Sequence, residues 1–255
     1  MKLLSPSVRR FSLATLACLI TTLASVPSVL AGIQTSVASD PPTQEETLIS
    51  VAPGVTKNQR WLYTSDTTAN RHRDVGQTFL IPGTSPVSIT SFVFRIADVG
   101  AIVSQLSNAP FTLSIYEFAD ATSYVPMGEP LYQVSGTLPA EFPSLEYLSF
   151  TLDDAFVAQA GHYYGVQLGL DTRAADLGIN FRSGLPADYA GGTGFSYSNY
   201  EVGSRSYKGG EFNFDFRVVG TAIPEGKTAA LLFSTLLLGF ACRGLGLCRG
   251  RKSLN

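Results

Sequence analysis

The sequence predicts an all-β protein, an antiparallel β-sandwich of jelly-roll type, flanked by an N-terminal signal peptide and a C-terminal transmembrane helix. Three observations carry that expectation. About ten short runs rich in β-branched and aromatic residues are separated by turn residues, and no convincing amphipathic helix interrupts them. The composition is rich in Gly (24), Pro (14), Tyr (11) and Phe (16). Only 15% of residues are charged, against about 25% in an average soluble protein, which suits an extracellular β domain.

The runs lie at 60–64, 76–81, 87–96, 111–118, 131–137, 146–152, 162–170, 178–182, 194–198 and 211–219. The last of them, Phe212-Asn213-Phe214-Asp215-Phe216-Arg217-Val218, alternates apolar and polar residues, as a strand does with one face on a core and one in water. Leu113-Ser114-Ile115-Tyr116 and Tyr147-Leu148-Ser149-Phe150 repeat that logic less strictly. No internal repeat marks tandem domains, and 255 residues leave room for one sizeable domain or two small ones. The expected organisation is a signal peptide over 1–31, a flexible polar leader over 32–47, a sandwich over 48–221 and a tail over 222–255.

The leader is read from Ser39-Asp40-Pro41-Pro42-Thr43-Gln44-Glu45-Glu46, a composition that buries little. Upstream, Lys2, Arg9 and Arg10 precede an apolar stretch over 11–24, and Val29-Leu30-Ala31 ends it with a signal-peptidase pattern, so cleavage is expected after Ala31. A retained N-terminal anchor reads from the same residues. A lipoprotein at Cys18 fits less well, because Thr15-Leu16-Ala17 lacks leucine three residues upstream.

The tail reads Ile223-Pro224-Glu225-Gly226-Lys227, then an apolar stretch over 228–241, then Arg243, Arg249, Arg251 and Lys252. A helix over 228–242 would be about 22 Å long at 1.5 Å per residue. A bilayer core of about 30 Å needs more, so the span must run past Arg243 toward Leu247 with that arginine snorkelling. The basic end would stay in the cytoplasm and leave the preceding domain outside.

Charge follows the same partition. The segment 32–221 has ten Lys and Arg against nineteen Asp and Glu, a formal −9, while the two ends carry eight basic residues and one acidic, a formal +7. An acidic central domain excludes a nucleic-acid backbone as its partner, since that association needs Lys and Arg to displace counterions. Cys18, Cys242 and Cys248 all fall in the terminal segments. A thiol-free domain of this size can bury a sufficient core without disulfides and suits an oxidising exterior.

The tail resembles the PEP-CTERM sorting signal of exported bacterial proteins, in which Pro-Glu-Pro precedes a short transmembrane helix and an arginine-rich end. Here Gly226 stands in place of the second proline. The resemblance implies processing by signal peptidase and then by an exosortase, a membrane-embedded cysteine protease. It also implies anchoring first in the inner membrane and delivery to the envelope or outer surface of a Gram-negative cell. Pro224, Glu225, Arg249, Arg251 and Lys252 would then be read by that machinery. An ordinary C-terminal anchor beginning after Pro-Glu reads from the same residues. The phrases Val75-Gly76-Gln77-Thr78-Phe79, Ala160-Gly161-His162-Tyr163-Tyr164 and Asp215-Phe216-Arg217-Val218 look like the sandwich domains found upstream of such tails.

Little in the sequence carries chemistry. His72 and His162 sit beside turns as surface histidines, with no Gly-x-Ser-x-Gly elbow and too few ligands for zinc. Asp153-Asp154 and Glu141 with Glu146 are the nearest candidates for a glycosidase pair, and the first of them reads more simply as a turn between strands. No cofactor is indicated. The hard oxygens of an acidic sandwich would suit at most a structural Ca²⁺, and no EF-hand loop names its ligands. Aromatics among small residues, Tyr189, Tyr197 and Tyr200, with Trp61 apart from them, suggest stacking on a sugar ring, although a core strand with glycine loops is the simpler reading of that stretch. The expectation is therefore a noncatalytic exported surface or matrix protein associating with exopolysaccharide. The alternatives are a secreted carbohydrate-active hydrolase or lyase on the same fold, and a purely structural surface component.

Overall fold

The computed structural model describes residues 32–52, 58–64, 72–97, 106–143, 145–171, 177–185, 189–198 and 205–224. Both ends of the chain, with the expected signal peptide and nearly all of the sorting tail, lie outside the described residues. Among the described residues there is no helix, so none that is long and apolar enough to cross a membrane.

Fourteen strands are described. They are β1 (Ile33–Ala38), β2 (Thr47–Val51), β3 (Asn58–Thr64), β4 (His72–Leu80), β5 (Val87–Arg95), β6 (Pro110–Phe118), β7 (Tyr132–Thr137), β8 (Tyr147–Ala158), β9 (Tyr163–Leu170), β10 (Leu177–Gly184), β11 (Gly194–Ser198), β12 (Ser206–Gly209), β13 (Asn213–Phe214) and β14 (Phe216–Ala222). A five-stranded sheet runs β1-β8-β5-β14-β2. A nine-stranded sheet runs β13-β10-β3-β4-β9-β6-β7, with β11 added to β4 and β12 to β11. Every pairing is antiparallel.

The sheets are consistent with a β-sandwich because their inner faces share one aromatic core. Phe79 of β4 meets Phe92 of β5 and Phe216 of β14, each with ring centroids 5.9 Å apart. Phe94 of β5 meets Phe181 of β10 at 5.2 Å and Phe214 of β13 at 5.6 Å. Phe111 of β6 meets Phe150 of β8 edge-on at 5.2 Å. All eight rings are fully buried. Each contributes about 1.5–3 kcal/mol through its removal from water, and tilted or edge contacts add to that.

Three expectations need correction. Residues 32–47 are not simply a leader, because β1 pairs with β8 from Ile33↔Leu152 to Ala38↔Tyr147. Its alternate residues Ile33 and Val37 pack against the core, a period-2 pattern that its Ser, Thr and Gln content obscured. Asp153-Asp154 is not a turn between strands but lies inside β8. There the register with β5 jumps from Ser91↔Thr151 to Ile89↔Phe156, so the two aspartates stand at a bulge. The run 211–219 is not one strand with a wet face. It divides at Asp215, with β13 in one sheet and β14 in the other, and Asn213, Asp215 and Arg217 are buried.

Candidate functional site

The outer face of β4, β9, β6 and β7 follows from strand alternation. Along β6, Phe111, Leu113 and Ile115 enter the core while Thr112, Ser114 and Tyr116 face outward; along β9, Val166, Leu168 and Leu170 go inward, leaving Gly165, Gln167 and Gly169 outside. Register then aligns these outer positions. Gln133 stands opposite Ser114 and Ser114 opposite Gln167, a polar row across three strands that ends against Gly76 of β4. Gln133 Nε2 donates to Ser114 Oγ at 3.0 Å.

At one end of this face, Asp74 of β4 is buried beneath the surface. Its Oδ1 accepts from His72 Nε2 at 2.5 Å, and its Oδ2 accepts from Gln167 Nε2 at 2.9 Å and from Arg205 Nη2. Gly169 makes room for that carboxylate, since a Cβ there would meet Asp74 Oδ1 at 3.0 Å. A buried charge is tolerated only when paired and hydrogen-bonded, and Asp74 has three donors.

The β11–β12 hairpin closes the site. Tyr197 and Tyr207 are cross-strand partners with rings stacked 4.5 Å apart, and the Arg205 guanidinium lies over the Tyr197 ring at 4.3 Å. Arg205 Nη2 also donates to the Tyr197 carbonyl at 3.2 Å. Tyr207 Oη donates to Gln167 Oε1 at 3.3 Å. Together His72, Asp74, Gln167, Tyr197 and Arg205 line a cleft of about 440 Å³. Thr112, Ser114, Tyr116, Gln133 and Asp171 form much of the rest. Asp171 is exposed, and its Oδ2 accepts from Thr112 Oγ1 at 2.8 Å.

Burial pushes the phenols of Tyr116 and Tyr207 above the ordinary tyrosine value. For Tyr207 the neighbouring hydroxyls of Tyr116 and Tyr197 add to the rise; for Tyr116 the charges of Asp74 and Glu129 do so, against a hydrogen bond with Ser114. Both therefore remain protonated at physiological pH and offer hydroxyl hydrogen bonds, not phenolate base.

Of the expected sugar contacts, the cleft includes Tyr197. Its ring is already engaged by Tyr207 and Arg205, so it acts as part of a wall. Tyr189 packs against the core instead, its hydroxyl accepting from Leu80 N at 3.4 Å and its carbonyl from Asn213 Nδ2 at 3.4 Å. Trp61 lies on β3 opposite Asn180, with its side chain outside the described residues, as is the whole of Tyr200. Pro224 is exposed just beyond β14, while Glu225, Arg249, Arg251 and Lys252 lie outside the described residues. His162 is exposed and pairs with Glu117 at 2.7 Å. His72, expected at the surface, is buried, because it begins β4 and turns toward Asp74. Sequence reasoning missed Asp74, Gln167 and Arg205. The available signal was the run of polar and glycine residues at alternate positions 112, 114, 116 and 165, 167, 169.

Among the described residues, no group of three or more His, Cys, Asp or Glu is placed to hold a metal ion. Comparison of the chain with family models and with curated proteins finds no match.

Proposed function

We propose that this chain is a noncatalytic exported protein of the cell envelope or extracellular matrix, and that its sandwich associates with polysaccharide through the cleft over β4, β9, β6 and β7. One observation carries the reading: the row Gln133, Ser114, Gln167 sets amides and a hydroxyl on rigid strands at the floor of an open cleft. Amide and hydroxyl groups both donate and accept, which is what a sugar's hydroxyls require. Tyr197 and Tyr116 add apolar surface beside them.

The finer fold reading is a jelly roll, and strand order supports it. Leaving aside β1, β3 and β10 to β13, eight strands remain, with β2-β14-β5-β8 in one sheet and β4-β9-β6-β7 in the other. In chain order they pass between the sheets as two Greek keys do. Export, an inner-membrane anchor and exosortase processing rest on the two ends of the sequence. The acidic domain and its lack of cysteine support an exterior location. A hydrolase or lyase on this fold is the less favoured reading. Within this cleft Asp74 is held by three donors and the Tyr116 phenol is a poor base, so an acid or base would fall to Asp171 or His72.

Two measurements test the proposal. The intact chain should bind its own cell's exopolysaccharide, and Gln167→Ala should weaken binding at least tenfold, about 1.4 kcal/mol. No binding by the intact chain removes the reading. Intact mass and fractionation of the protein, with and without Pro224→Ala and Glu225→Ala, test the sorting signal. An unaltered tail in those variants would leave only simple anchoring.

A further inference from the structure

We propose that the cleft selects neutral sugar polymers and rejects uronates and other polyanionic chains. This rests on the saccharide reading above and names the substrate class of the same site.

The charges of the lining already meet partners within the protein. The charged side chains are Asp74, Asp171 and Arg205, with His72 bound to Asp74. A site for a uronate needs a cation that can face the ligand's carboxylate, preferably an arginine offering two parallel hydrogen bonds. Arg205 does not stand ready for that. Its Nη2 donates to Asp74 Oδ2 and to the Tyr197 carbonyl, and its plane lies on the Tyr197 ring. Its Nε is buried without a hydrogen-bond partner, so a ligand carboxylate reaching for this guanidinium would have to enter beside Asp74 and share the cation with it, leaving a buried carboxylate less well compensated.

What the cleft presents to an incoming chain is of the other sign. Asp171 is exposed at its rim and uses Oδ2 for Thr112. Glu129 lies near enough for its charge, with that of Asp74, to help keep the Tyr116 phenol protonated. Arg73 and Lys208 line a separate pocket with Glu211. A neutral sugar meets no charge penalty here. Its hydroxyls can donate to Asp171 and to the amide oxygens of the row, and can accept from the amide nitrogens and Tyr116. A uronate brings a second negative charge toward Asp171, and the one guanidinium lining the cleft is already shared with Asp74. At low ionic strength this repulsion should separate the two classes by about tenfold in affinity, a gap that salt should narrow.

The test titrates the purified full chain with neutral polymers (dextran, mannan, xyloglucan) and with uronate polymers (alginate, polygalacturonate), each at low and physiological salt. The neutral class should bind, the uronates about tenfold more weakly at low salt, with the difference shrinking as salt rises. Asp171→Asn should raise the ratio of uronate to neutral affinity about fivefold. Uronates binding as tightly as neutral chains, or a ratio that neither salt nor Asp171→Asn moves, would overturn the selectivity and leave the saccharide reading standing. Failure of both classes to bind would remove both. The salt series on the unaltered chain decides the question even where the variant does not fold.

Discussion

Asp74 and Asp215 are both buried aspartates held by arginine, yet they do opposite work. Asp215 stands where the chain crosses from β13 in one sheet to β14 in the other. Arg217 binds its Oδ1 at 2.9 Å, while Arg95 and Arg182 approach its Oδ2 at 3.6 and 3.9 Å. Those arginines come from β14, β5 and β10, so one carboxylate ties both sheets together at the crossing. Asp74 has a comparable set of donors, but it sits beneath a cleft lined by hydroxyls and amides. A buried polar network is therefore not a site by itself. It becomes a candidate where it borders open space and where its neighbours can still exchange hydrogen bonds with a ligand.

Removing Asp215 should have the largest effect of any change in this comparison. Asp215→Ala leaves Arg217, which is nearly as buried, without its carboxylate partner. Breaking such a pair costs about 3–5 kcal/mol, so the denaturant midpoint should fall steeply. A midpoint within experimental error of the unaltered protein would show that water reaches these arginines and that the crossing is not fastened there. Asp74→Asn should be milder, about 1–3 kcal/mol, because Arg205 is partly open to solvent. Saccharide binding should nevertheless collapse, since His72, Gln167 and Arg205 all lose the group that orients them. Equal loss of stability in the two variants would erase the distinction drawn between them.

The same contrast can be sharpened with less disruption. Gly169→Ala places a methyl group against Asp74 Oδ1 at 3.0 Å, tighter than ordinary contact. Asp74 must shift by a few tenths of an ångström. We expect saccharide affinity to fall about tenfold, because a displaced carboxylate misaims the groups it holds, while stability changes by about 1 kcal/mol or less. Calorimetric titration beside a melting curve separates those outcomes, and unchanged affinity would mean that Asp74 does not order the cleft.

Alkaline pH probes one phenol of the cleft, Tyr116, and one behind it, Tyr207. Tyr116 and Tyr207 have folded-state values raised above the ordinary value of about 10. The folded protein thus holds these protons more tightly than the unfolded chain. Their contribution is complete below about pH 10 and is lost as pH rises beyond it. Stability should decline above pH 10, and Tyr207→Phe should flatten the decline. A decline of the same slope in the variant would assign it to other groups, among them Tyr132 and Tyr189, which are also raised by burial.

How far the sequence discloses all this depends on the range of the interactions involved. The strands were legible because alternation is local: Leu113-Ser114-Ile115-Tyr116 states its own two faces. β1 was not, because its pairing with β8 lies more than a hundred residues away and its polar composition suits a mobile segment equally well. In 211–219 alternation was read correctly but its meaning was not. The pattern cannot tell a face in water from a face covered by arginines supplied by β5 and β10. The site was the least legible part. Asp74, Gln167 and Arg205 meet across separations of 93 and 131 residues, and no short motif joins them. Aromatic residues among small ones announce themselves without saying where they point: Tyr197 lines the cleft, whereas Tyr189 packs on the core.

That last pair yields the smallest expected effect. Tyr189 and Tyr207 are both tyrosines near the β11 end of the nine-stranded sheet, and in both burial raises the phenol's pKa. The Tyr189 hydroxyl is a partner for Leu80 N, at a long 3.4 Å, whereas that of Tyr207 donates to Gln167 beside the cleft. Tyr189→Phe should therefore cost about 0.5–1.5 kcal/mol, toward the lower end because the bond is long, and should leave saccharide affinity as it was. Tyr207→Phe should lower affinity severalfold, since Gln167 then loses one of the two bonds that fix its amide and can rotate away from the ligand. Measured side by side, the two hydroxyl deletions differ by a single oxygen in each case. A fall in affinity for Tyr189→Phe would mean that the loop at 189–193 reaches the ligand. Equal affinities for both variants would mean that Gln167 is oriented by Asp74 alone.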